Sequence, residues 1–467
     1  MSILIRHVTG RTTSLVSLLA LTIFLPLFVT LVYQAYNFVS KASGTPAVIF
    51  VDVKAEQEQI KTDFYHSFAQ GGEERTDMLA SIIPEVKALR PKYIRLDHLY
   101  DNYNVVDRSG SGLTYNWGAL DRAVDSIIAT GAKPVLALSY MPNVIAKDGV
   151  IINPPNDWNE WAQVVTATIE HFSGKSQRNI NDIQYEVWNE PDLEQFGKWS
   201  LGGEKNYLTL YKYAAIGASN AKGVNSFGLG GPSTTGLYQR WIEALVQSGN
   251  RVNFLSWHSY LPTPTQYATD QRNLIKWLLP YPSYTLLPKF ITEFGFTGAK
   301  SKGYGTSYGA AHTVAVVRQL ISGGPTALFT FQLKDGPGQI DGDGWGLLTN
   351  EDNGLRKKPR YFVFNFLDSM AGTRLALSGE GSWVTGFASK RDEKIRVLLV
   401  NFDQAGSHAE TVPVTFTNLD AGTYTYREKF LIGKEQTSTE EITGNTLTKS
   451  IYMYAQAITI LELEKKK

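Results

Sequence analysis

The sequence of 467 residues contains no cysteine. This absence excludes disulfide scaffolds, thiolate zinc sites and cysteine nucleophiles, so packing alone must hold the fold. The chain also lacks an excess of one charge sign, because its 45 Lys and Arg residues nearly balance its 44 Asp and Glu residues. Nucleic acid is therefore not predicted as a partner. No glycine-rich phosphate turn of the GxGxxG type follows an early strand, which disfavours an open nucleotide-binding sheet.

Aromatic residues, in contrast, are plentiful, at 12% of the chain with 10 Trp and 24 Tyr. Most are expected in the core, but carbohydrate sites also use such rings, because the apolar C–H face of a sugar stacks on them. The chain is too long for one ordinary core. Its length favours roughly two domains, or one barrel with an addition.

A long uncharged run lies near the amino terminus, at residues 15–33. About 19 residues at about 1.5 Å each come close to the roughly 30 Å apolar core of a bilayer. Arg6 and Arg11 precede the run and Lys41 follows it, so the positive-inside bias places later residues outside the cytoplasm. The sequence therefore predicts a cytoplasmic stub, a single transmembrane helix and a tether over residues 1–43. A cleaved signal peptide, which would make the protein secreted, is the alternative.

Eight apolar, β-rich runs recur after the tether, with helical stretches between them. Runs that are apolar on both faces are typical of parallel strands covered by helices, and a spacing of about 30 to 45 residues fits one strand and one helix each. The sequence therefore predicts an α/β fold, a (β/α)8 TIM barrel over residues 44–371. An open doubly wound sheet is the rival. The predicted strands are 47–53, 92–100, 133–140, 183–190, 227–233, 253–260, 288–295 and 326–333.

The pattern changes at Gly372, where helical periodicity disappears. Short alternating strands follow, such as residues 383–389 and 394–402, with turns rich in Gly, Asn and Asp between them. This pattern is typical of a β-sandwich. The sequence therefore predicts a β-sandwich accessory domain over residues 372–467. It contains no chemical motif, so its expected role is to support the barrel.

Two glutamates stand at the carboxyl ends of the fourth and seventh runs. Glu190 closes the fourth run and Glu293 lies near the end of the seventh. Working residues of a TIM barrel project from the carboxyl ends of its strands, and strands four and seven face each other. Glycosidic cleavage needs one carboxylic acid to protonate the leaving oxygen and one carboxylate to face the anomeric carbon. The pair therefore predicts a glycosidase site.

The motifs around this pair, Trp-Asn-Glu-Pro at 188–191 and Thr-Glu-Phe-Gly at 292–295, resemble those of clan A glycoside hydrolases. The closest resemblance is to glycoside hydrolase family 39, over the barrel from about residue 47 to 370 and in the layout of the trailing β-sandwich. That family includes β-xylosidases, α-L-iduronidases and bacterial endoglycosidases acting on exopolysaccharide, and it is retaining. The resemblance implies that Glu190 is the acid/base and Glu293 the nucleophile.

The same resemblance implies roles for four neighbouring residues. Asn189 is expected to bind the sugar 2-OH, a contact that strengthens in the transition state. Arg95, at the end of the second run, is expected to keep the nucleophile ionised through a charge-assisted hydrogen bond. His258 and Tyr260, at the end of the sixth run, are expected to orient the nucleophile and contact the substrate.

Four further residues are predicted to bind substrate: Asp97, His98, Tyr140 and Trp345. Polar residues at barrel mouths often only satisfy loop backbone groups, which is the alternative for the first three. Trp345 follows the eighth run and offers a surface on which a sugar can stack.

Two other features are not assigned to catalysis or metal binding. Glu186 lies on the same side of its strand as Glu190 but deeper, and is predicted to be a buried hydrogen-bonding partner. Residues 340–346 faintly resemble a calcium loop but lack its aspartate spacing and terminal bidentate glutamate. No metal and no cofactor are predicted.

The predicted function is a retaining hydrolase that cleaves an extracellular oligo- or polysaccharide by double displacement. A non-catalytic glycan-binding surface protein is one alternative, and it would be expected to lack a glutamate or Asn189, all of which are present. A transglycosylase is another, and it would use the same residues with an acceptor sugar in place of water. The oligomeric state is left open.

Overall fold

The computed structural model describes residues 44–466. The predicted transmembrane helix at residues 15–33 lies outside this part and stays a prediction. Within residues 44–466, no helix is both long enough and apolar enough to cross a membrane.

The strands of this part of the chain form a closed barrel, a nine-stranded sheet and a hairpin. In chain order they are β1 (Ile49–Gln59), β2 (Ser67–Gln70), β3 (Tyr93–Leu96), β4 (Val106–Ser109), β5 (Gly112–Tyr115), β6 (Lys133–Leu138), β7 (Ile183–Val187), β8 (Phe227–Thr234), β9 (Phe254–Tyr260), β10 (Lys289–Gly295), β11 (Ala327–Phe331), β12 (Thr373–Ser378), β13 (Val384–Arg391), β14 (Lys394–Asn401), β15 (Glu410–Thr417), β16 (Gly422–Phe430), β17 (Glu435–Ile442), β18 (Leu447–Met453) and β19 (Ile458–Lys465).

The helices lie mostly between the barrel strands. In chain order they are α1 (Ile83–Ala88), α2 (Gly118–Ala129), α3 (Trp158–Ser173), α4 (Tyr207–Asn220), α5 (Gln239–Gln247), α6 (Pro264–Leu278), α7 (Pro282–Thr285), α8 (Ser307–Leu320) and α9 (Pro359–Ser369).

The barrel closes in the order β10-β11-β2-β3-β6-β7-β8-β9, with every neighbouring pair parallel. Aromatic side chains, among them Phe254, Phe290 and Phe329, pack together in its interior, and the helices cover its outside. The predicted (β/α)8 barrel is confirmed. Its strands four and seven are β7 and β10, as predicted, so their carboxyl ends lie on opposite sides of one mouth.

The predicted first barrel strand, residues 47–53, is wrong. That run forms part of β1, in which burial alternates: Val51 and Val53 are buried, whereas Phe50 is 46% exposed. A parallel barrel strand is covered on both faces, and the first one is β2, whose four residues are all buried. The other seven predicted strands are confirmed.

Strand β1 belongs to the nine-stranded sheet of the C-terminal β domain. It lies between β12, to which it is antiparallel, and β15, to which it is parallel. The sheet buries one shared apolar cluster that includes Val51, Phe416 and Leu461. Its other face, including Phe387 and Leu398, joins the apolar core of the barrel. The predicted β domain is thus present, and it also contains a strand that precedes the barrel.

Removing β1 is expected to unfold the protein. A chain beginning at Lys61 would leave β12 and β15 without their shared neighbour and would lose the burial of Ile49 and Val51. Burying each such side chain contributes about 1.5–3 kcal/mol, a large share of a stability of about 5–15 kcal/mol. We expect the chain beginning at Lys61 to aggregate or to lose cooperative thermal unfolding, while one beginning at Gly44 retains it. Identical melting curves for the two chains would contradict this role of β1.

Candidate active site

The loop after β7 holds Glu190 in an unusual backbone conformation. Trp188 and Glu190 both have positive φ, at 74° and 43°. Residues other than glycine adopt this region rarely, so the surrounding structure must enforce it. Trp188 is fully buried, and the Glu190 backbone N–H donates to the Ser233 carbonyl over 2.9 Å. These contacts fix the acidic side chain at the barrel mouth.

Arg95, at the end of β3, connects three side chains beneath the mouth. Its guanidinium donates to Glu186 Oε2 over 2.7 Å, to Glu293 Oε1 over 2.9 Å and to Asn189 Oδ1 over 2.8 Å. Burial would raise the pKa of Glu186, but the charges of Arg95 and His258 hold it below its ordinary value. The structure therefore places Glu186 in a buried network, as the sequence predicted.

Glu293, on β10, receives a second hydrogen bond from Tyr260. The phenol donates to Glu293 Oε2 over 2.6 Å, so both carboxylate oxygens have donors. Burial raises the pKa of Glu293 above its ordinary value, while the positive charges of His258 and Arg95 oppose that rise. The two expected donors, Arg95 and Tyr260, are thus in place, and they favour the ionised form. Ionisation of Glu293 at neutral pH stays a prediction.

His258, on β9, lies between the two glutamates. Its Nδ1 is 2.8 Å from Glu190 Oε1 and 3.6 Å from Glu293 Oε2, and its Nε2 is 3.3 Å from Ser233 Oγ. Burial alone would lower the pKa of His258, but the carboxylates of Glu293 and Glu190 more than offset it and raise the pKa. The raised pKa favours a protonated imidazole, whose Nδ1 faces both carboxylates.

One carboxylate oxygen of Glu190 and one of Glu293 lie within 4.8 Å of each other. Retaining glycosidases hold their two carboxyl groups about 5–5.5 Å apart, whereas inverting enzymes need about 6.5–9.5 Å to admit a water. Carboxylates whose oxygens come this close fit the retaining arrangement better than the inverting one.

Within residues 44–466, these same three side chains are near enough together to share a cation. Arg95 and Tyr260 already donate to Glu293, and a metal ion there would lie close to the guanidinium charge. The donor set therefore fits proton transfer better than metal binding, and the absence of a metal stays a prediction.

A cavity of about 680 Å³ opens above this network. Seven of the ten residues predicted for the site line it: Asp97, His98, Asn189, Glu190, Tyr260, Glu293 and Trp345. The other three, Arg95, Tyr140 and His258, lie behind this layer and are buried. Their predicted roles at the site stay predictions.

The predicted substrate-binding residues differ in their hydrogen bonding. Tyr140 OH accepts from Asn189 Nδ2 over 2.8 Å, and His98 Nδ1 is 2.7 Å from Asp101 Oδ2. Asp97 Oδ1 is buried and has no hydrogen-bond donor among the described residues. Trp345 packs edge-on against Phe331, with ring centres 5.6 Å apart. Their roles in binding stay predictions.

The lining residues that sequence reasoning missed include Glu73, Phe196 and Phe331. Glu73 follows the true first barrel strand, so the misplacement of that strand at residues 47–53 hid it. Burial raises the pKa of Glu73 to about 7, although hydrogen bonds from Gln332 and Gln339 oppose the shift. A site carboxyl of this kind titrates near neutral pH.

Stability is expected to depend on Glu73 between about pH 4.5 and pH 7. The folded state holds the Glu73 proton more tightly than the unfolded chain, whose carboxyl has the ordinary pKa of 4.5, so this contribution falls as pH rises through that window. The unfolding free energy of the parent, minus that of Glu73→Gln, should fall by about 2 kcal/mol from pH 4.5 to pH 7 and level off about one pH unit higher. Denaturant titrations at several pH values measure it. If the unfolding free energies of the two proteins changed with pH in parallel, the pKa of Glu73 would not be raised.

The fold and the site together define a class of protein. The barrel is a (β/α)8 barrel, glutamates end its strands four and seven, an arginine lies on strand two, and strand six ends in His-Ser-Tyr. This is the arrangement expected of a clan A glycoside hydrolase. The sequence model described as "Glycosyl hydrolases family 39" matches residues 69–276. The matched region contains Arg95, Glu190 and Tyr260, and Glu293 lies beyond its end.

Individual relatives agree with the family match. The chain is 28% identical over 326 residues to a β-xylosidase of Caldicellulosiruptor saccharolyticus, covering 62% of this chain and 64% of that protein. It is 25% identical over 307 residues to a β-xylosidase of Geobacillus stearothermophilus, covering 57% and 58%. The chain thus spans less than two thirds of the length of these curated relatives.

The fold is also found among solved structures. A monomeric β-xylosidase from Caulobacter crescentus superposes with a TM-score of 0.73 at 19% identity, over 90% of this chain and 100% of that one. The predicted resemblance to family 39 is confirmed, and the likeness supports the prediction of a glycoside hydrolase.

Proposed function

We propose that this protein is a retaining glycoside hydrolase in which Glu190 is the acid/base and Glu293 the nucleophile. The observation that carries the proposal is the pair itself, with facing oxygens within 4.8 Å at the carboxyl ends of strands four and seven. That separation suits direct attack by one carboxylate and leaves too little room for an inverting water.

The reaction proceeds in two displacements. Glu190 donates its proton to the glycosidic oxygen while a Glu293 oxygen bonds to the anomeric carbon, and the bond to the leaving sugar breaks. Glu190 then takes a proton from water, which attacks the anomeric carbon and releases Glu293 as a carboxylate. Arg95 and Tyr260 hold the nucleophile by their hydrogen bonds, and His258 bridges the two acids.

The substrate class is a neutral, β-linked sugar of the xylose type. Two curated relatives are named β-xylosidases, which supports this choice. The cavity supports it as well, because four carboxyl groups line it, those of Glu73, Asp97, Glu190 and Glu293. A uronic acid would bring a further negative charge among them, which is unfavourable.

The direct test is a panel of 4-nitrophenyl glycosides assayed with a chain beginning at Gly44. We expect the β-D-xyloside to be cleaved fastest, with NMR showing the β-anomer as the first product. Adding xylobiose as an acceptor distinguishes transglycosylation, because a transferase would form longer oligosaccharides instead of free xylose. No cleavage of any aryl glycoside, or an inverted first product, would contradict the proposal.

The proposed location is outside the cytoplasm, with the barrel attached to the membrane through residues 1–43. The uncharged run at residues 15–33, preceded by Arg6 and Arg11, is the basis. We expect the full-length protein to fractionate with membranes and its barrel to be digested by protease added outside intact cells. Recovery in the medium would indicate cleavage of the segment, and recovery with cytoplasmic proteins would refute the topology.

A further inference from the structure

A second cavity, of about 660 Å³, lies on the flank of the barrel beside the loop that carries Glu190. Four aromatic residues line it: Trp199 from that loop, Tyr238 before α5, Trp241 on α5 and Trp277 on α6. We call this cavity the aromatic groove. No part of the proposed reaction at Glu190 and Glu293 uses these four rings.

The aromatic groove adjoins the catalytic cavity through one pair of residues. Thr235 lines the catalytic cavity, and Asp192 lines the groove. The Thr235 backbone N–H donates to Asp192 Oδ1 over 2.9 Å, and its hydroxyl lies 3.0 Å from the Tyr238 OH. Asp192 is also only two residues after Glu190, a span of at most about 7 Å. The two cavities therefore share a thin wall next to the acid/base.

The position of Glu190 decides which part of a substrate meets this wall. The acid must contact the glycosidic oxygen that it protonates, so the leaving sugar lies on the Glu190 side of the cleaved bond. A longer leaving group continues away from Glu293, past Glu190, and must pass over the wall formed by Asp192 and Thr235 to reach the groove.

The lining of the groove suits a sugar chain. Indole and phenol rings stack on the apolar C–H faces of sugars, while Ser200, Gln239 and Arg240 add polar groups that can bond to hydroxyls. Trp199 is 2% exposed, so its ring is packed beneath the surface of the groove. Tyr238, in contrast, is 43% exposed, so its ring is accessible from solvent.

We propose that the aromatic groove binds the leaving-group side of an oligo- or polysaccharide, so that the enzyme acts on chains of several sugars. This inference rests on the proposed function, because it takes Glu190 as the acid. It predicts that the substrate is a chain of sugars and not a single sugar with a small leaving group.

The test measures binding of xylobiose through xylohexaose by calorimetry, with Glu293→Gln in every chain so that the sugars stay intact. Trp277→Ala is the principal variant, because Trp277 lies on α6 and does not line the catalytic cavity. Tyr238→Ala removes a ring at the wall, and Tyr238→Phe keeps that ring while removing its hydroxyl. Tyr452→Ala is the matched control, since Tyr452 is 61% exposed and lies on β18 in the β domain.

In the parent, affinity should rise with chain length. Trp277→Ala and Tyr238→Ala should weaken xylohexaose binding by about tenfold more than xylobiose binding, because only the longer chain reaches the rings. Tyr238→Phe and Tyr452→Ala should bind both sugars as the parent does. Melting temperatures of all variants establish that each is folded, and if one alanine variant unfolds the other still decides the test.

Two results separate this inference from the proposed function. If the parent shows no gain in affinity with chain length, or if Trp277→Ala and Tyr238→Ala bind xylohexaose as tightly as the parent, the groove is not a sugar site. If the groove variants lose xylohexaose binding but the intact enzyme cleaves no aryl glycoside, the groove still binds glycan and the proposed hydrolase function is wrong.

Discussion

Replacing Glu293 with alanine should reduce kcat/KM for an aryl β-xyloside by several orders of magnitude. The carboxylate would no longer bond to the anomeric carbon, so no glycosyl-enzyme could form and the first displacement would be lost. Mass spectrometry of the denatured enzyme after mixing with a slow substrate should show the covalent adduct in the parent and none in the variant. Added azide should enter the vacated space and give a glycosyl azide of inverted configuration.

Glu194→Ala is the matched control for this experiment. Glu194 follows Glu190 by four residues and its side chain is 84% exposed, so its removal should leave kcat/KM unchanged. Circular dichroism should show that Glu293→Ala is folded, because Arg95 keeps Glu186 as a buried partner. A Glu293→Ala variant that keeps activity, or that yields an azide product of retained configuration, would exclude Glu293 as the nucleophile.

The second large effect is expected from Glu190→Ala, and it should depend on the leaving group. An activated aryl glycoside needs little protonation, so the first displacement should survive, whereas the second should stall because no group deprotonates the attacking water. A burst of nitrophenol followed by a slow steady rate should report the stalled intermediate. Natural xylo-oligosaccharides, whose leaving groups need a proton, should be cleaved slower by several orders of magnitude.

Azide should restore turnover of Glu190→Ala, because it is a nucleophile that needs no general base, and its product should retain configuration. The decline of kcat/KM at high pH should also disappear with activated substrates, since that decline reflects loss of the acid's proton. If azide instead gave the inverted product here and the retained product in Glu293→Ala, the two roles would be exchanged. If Glu190→Ala lowered kcat/KM equally for activated and natural substrates, that result would argue against an acid role for Glu190.

Some features of the site could be predicted from the sequence because they are local. Glu190 and Glu293 each end an apolar run within a short motif, and seven of the eight barrel strands have the buried pattern that parallel pairing produces. The motif residues and the strand order were therefore enough to place both carboxylates at one mouth.

Other features depend on contacts between distant parts of the chain. The bonds from Arg95 to Glu186 and Glu293 span 91 and 198 residues, and no local pattern reports them. Glu73 was missed because β2 is only four residues long, and the more apolar residues 47–53 were predicted as the first barrel strand instead. Its raised pKa is likewise a consequence of burial, which only the assembled barrel creates.

The location of β1 has a consequence for how the chain is made. Thr417 bonds to the carbonyl of Val51 across 366 residues, and the partners of β1 on both sides follow the whole barrel in the chain. At a synthesis rate of about 5–20 residues per second, β1 would wait about 20–70 s before those partners emerge. During that interval its unpaired edge and apolar face stay exposed to other nascent chains. Covering residues 49–59 during that interval would therefore raise the yield of folded protein.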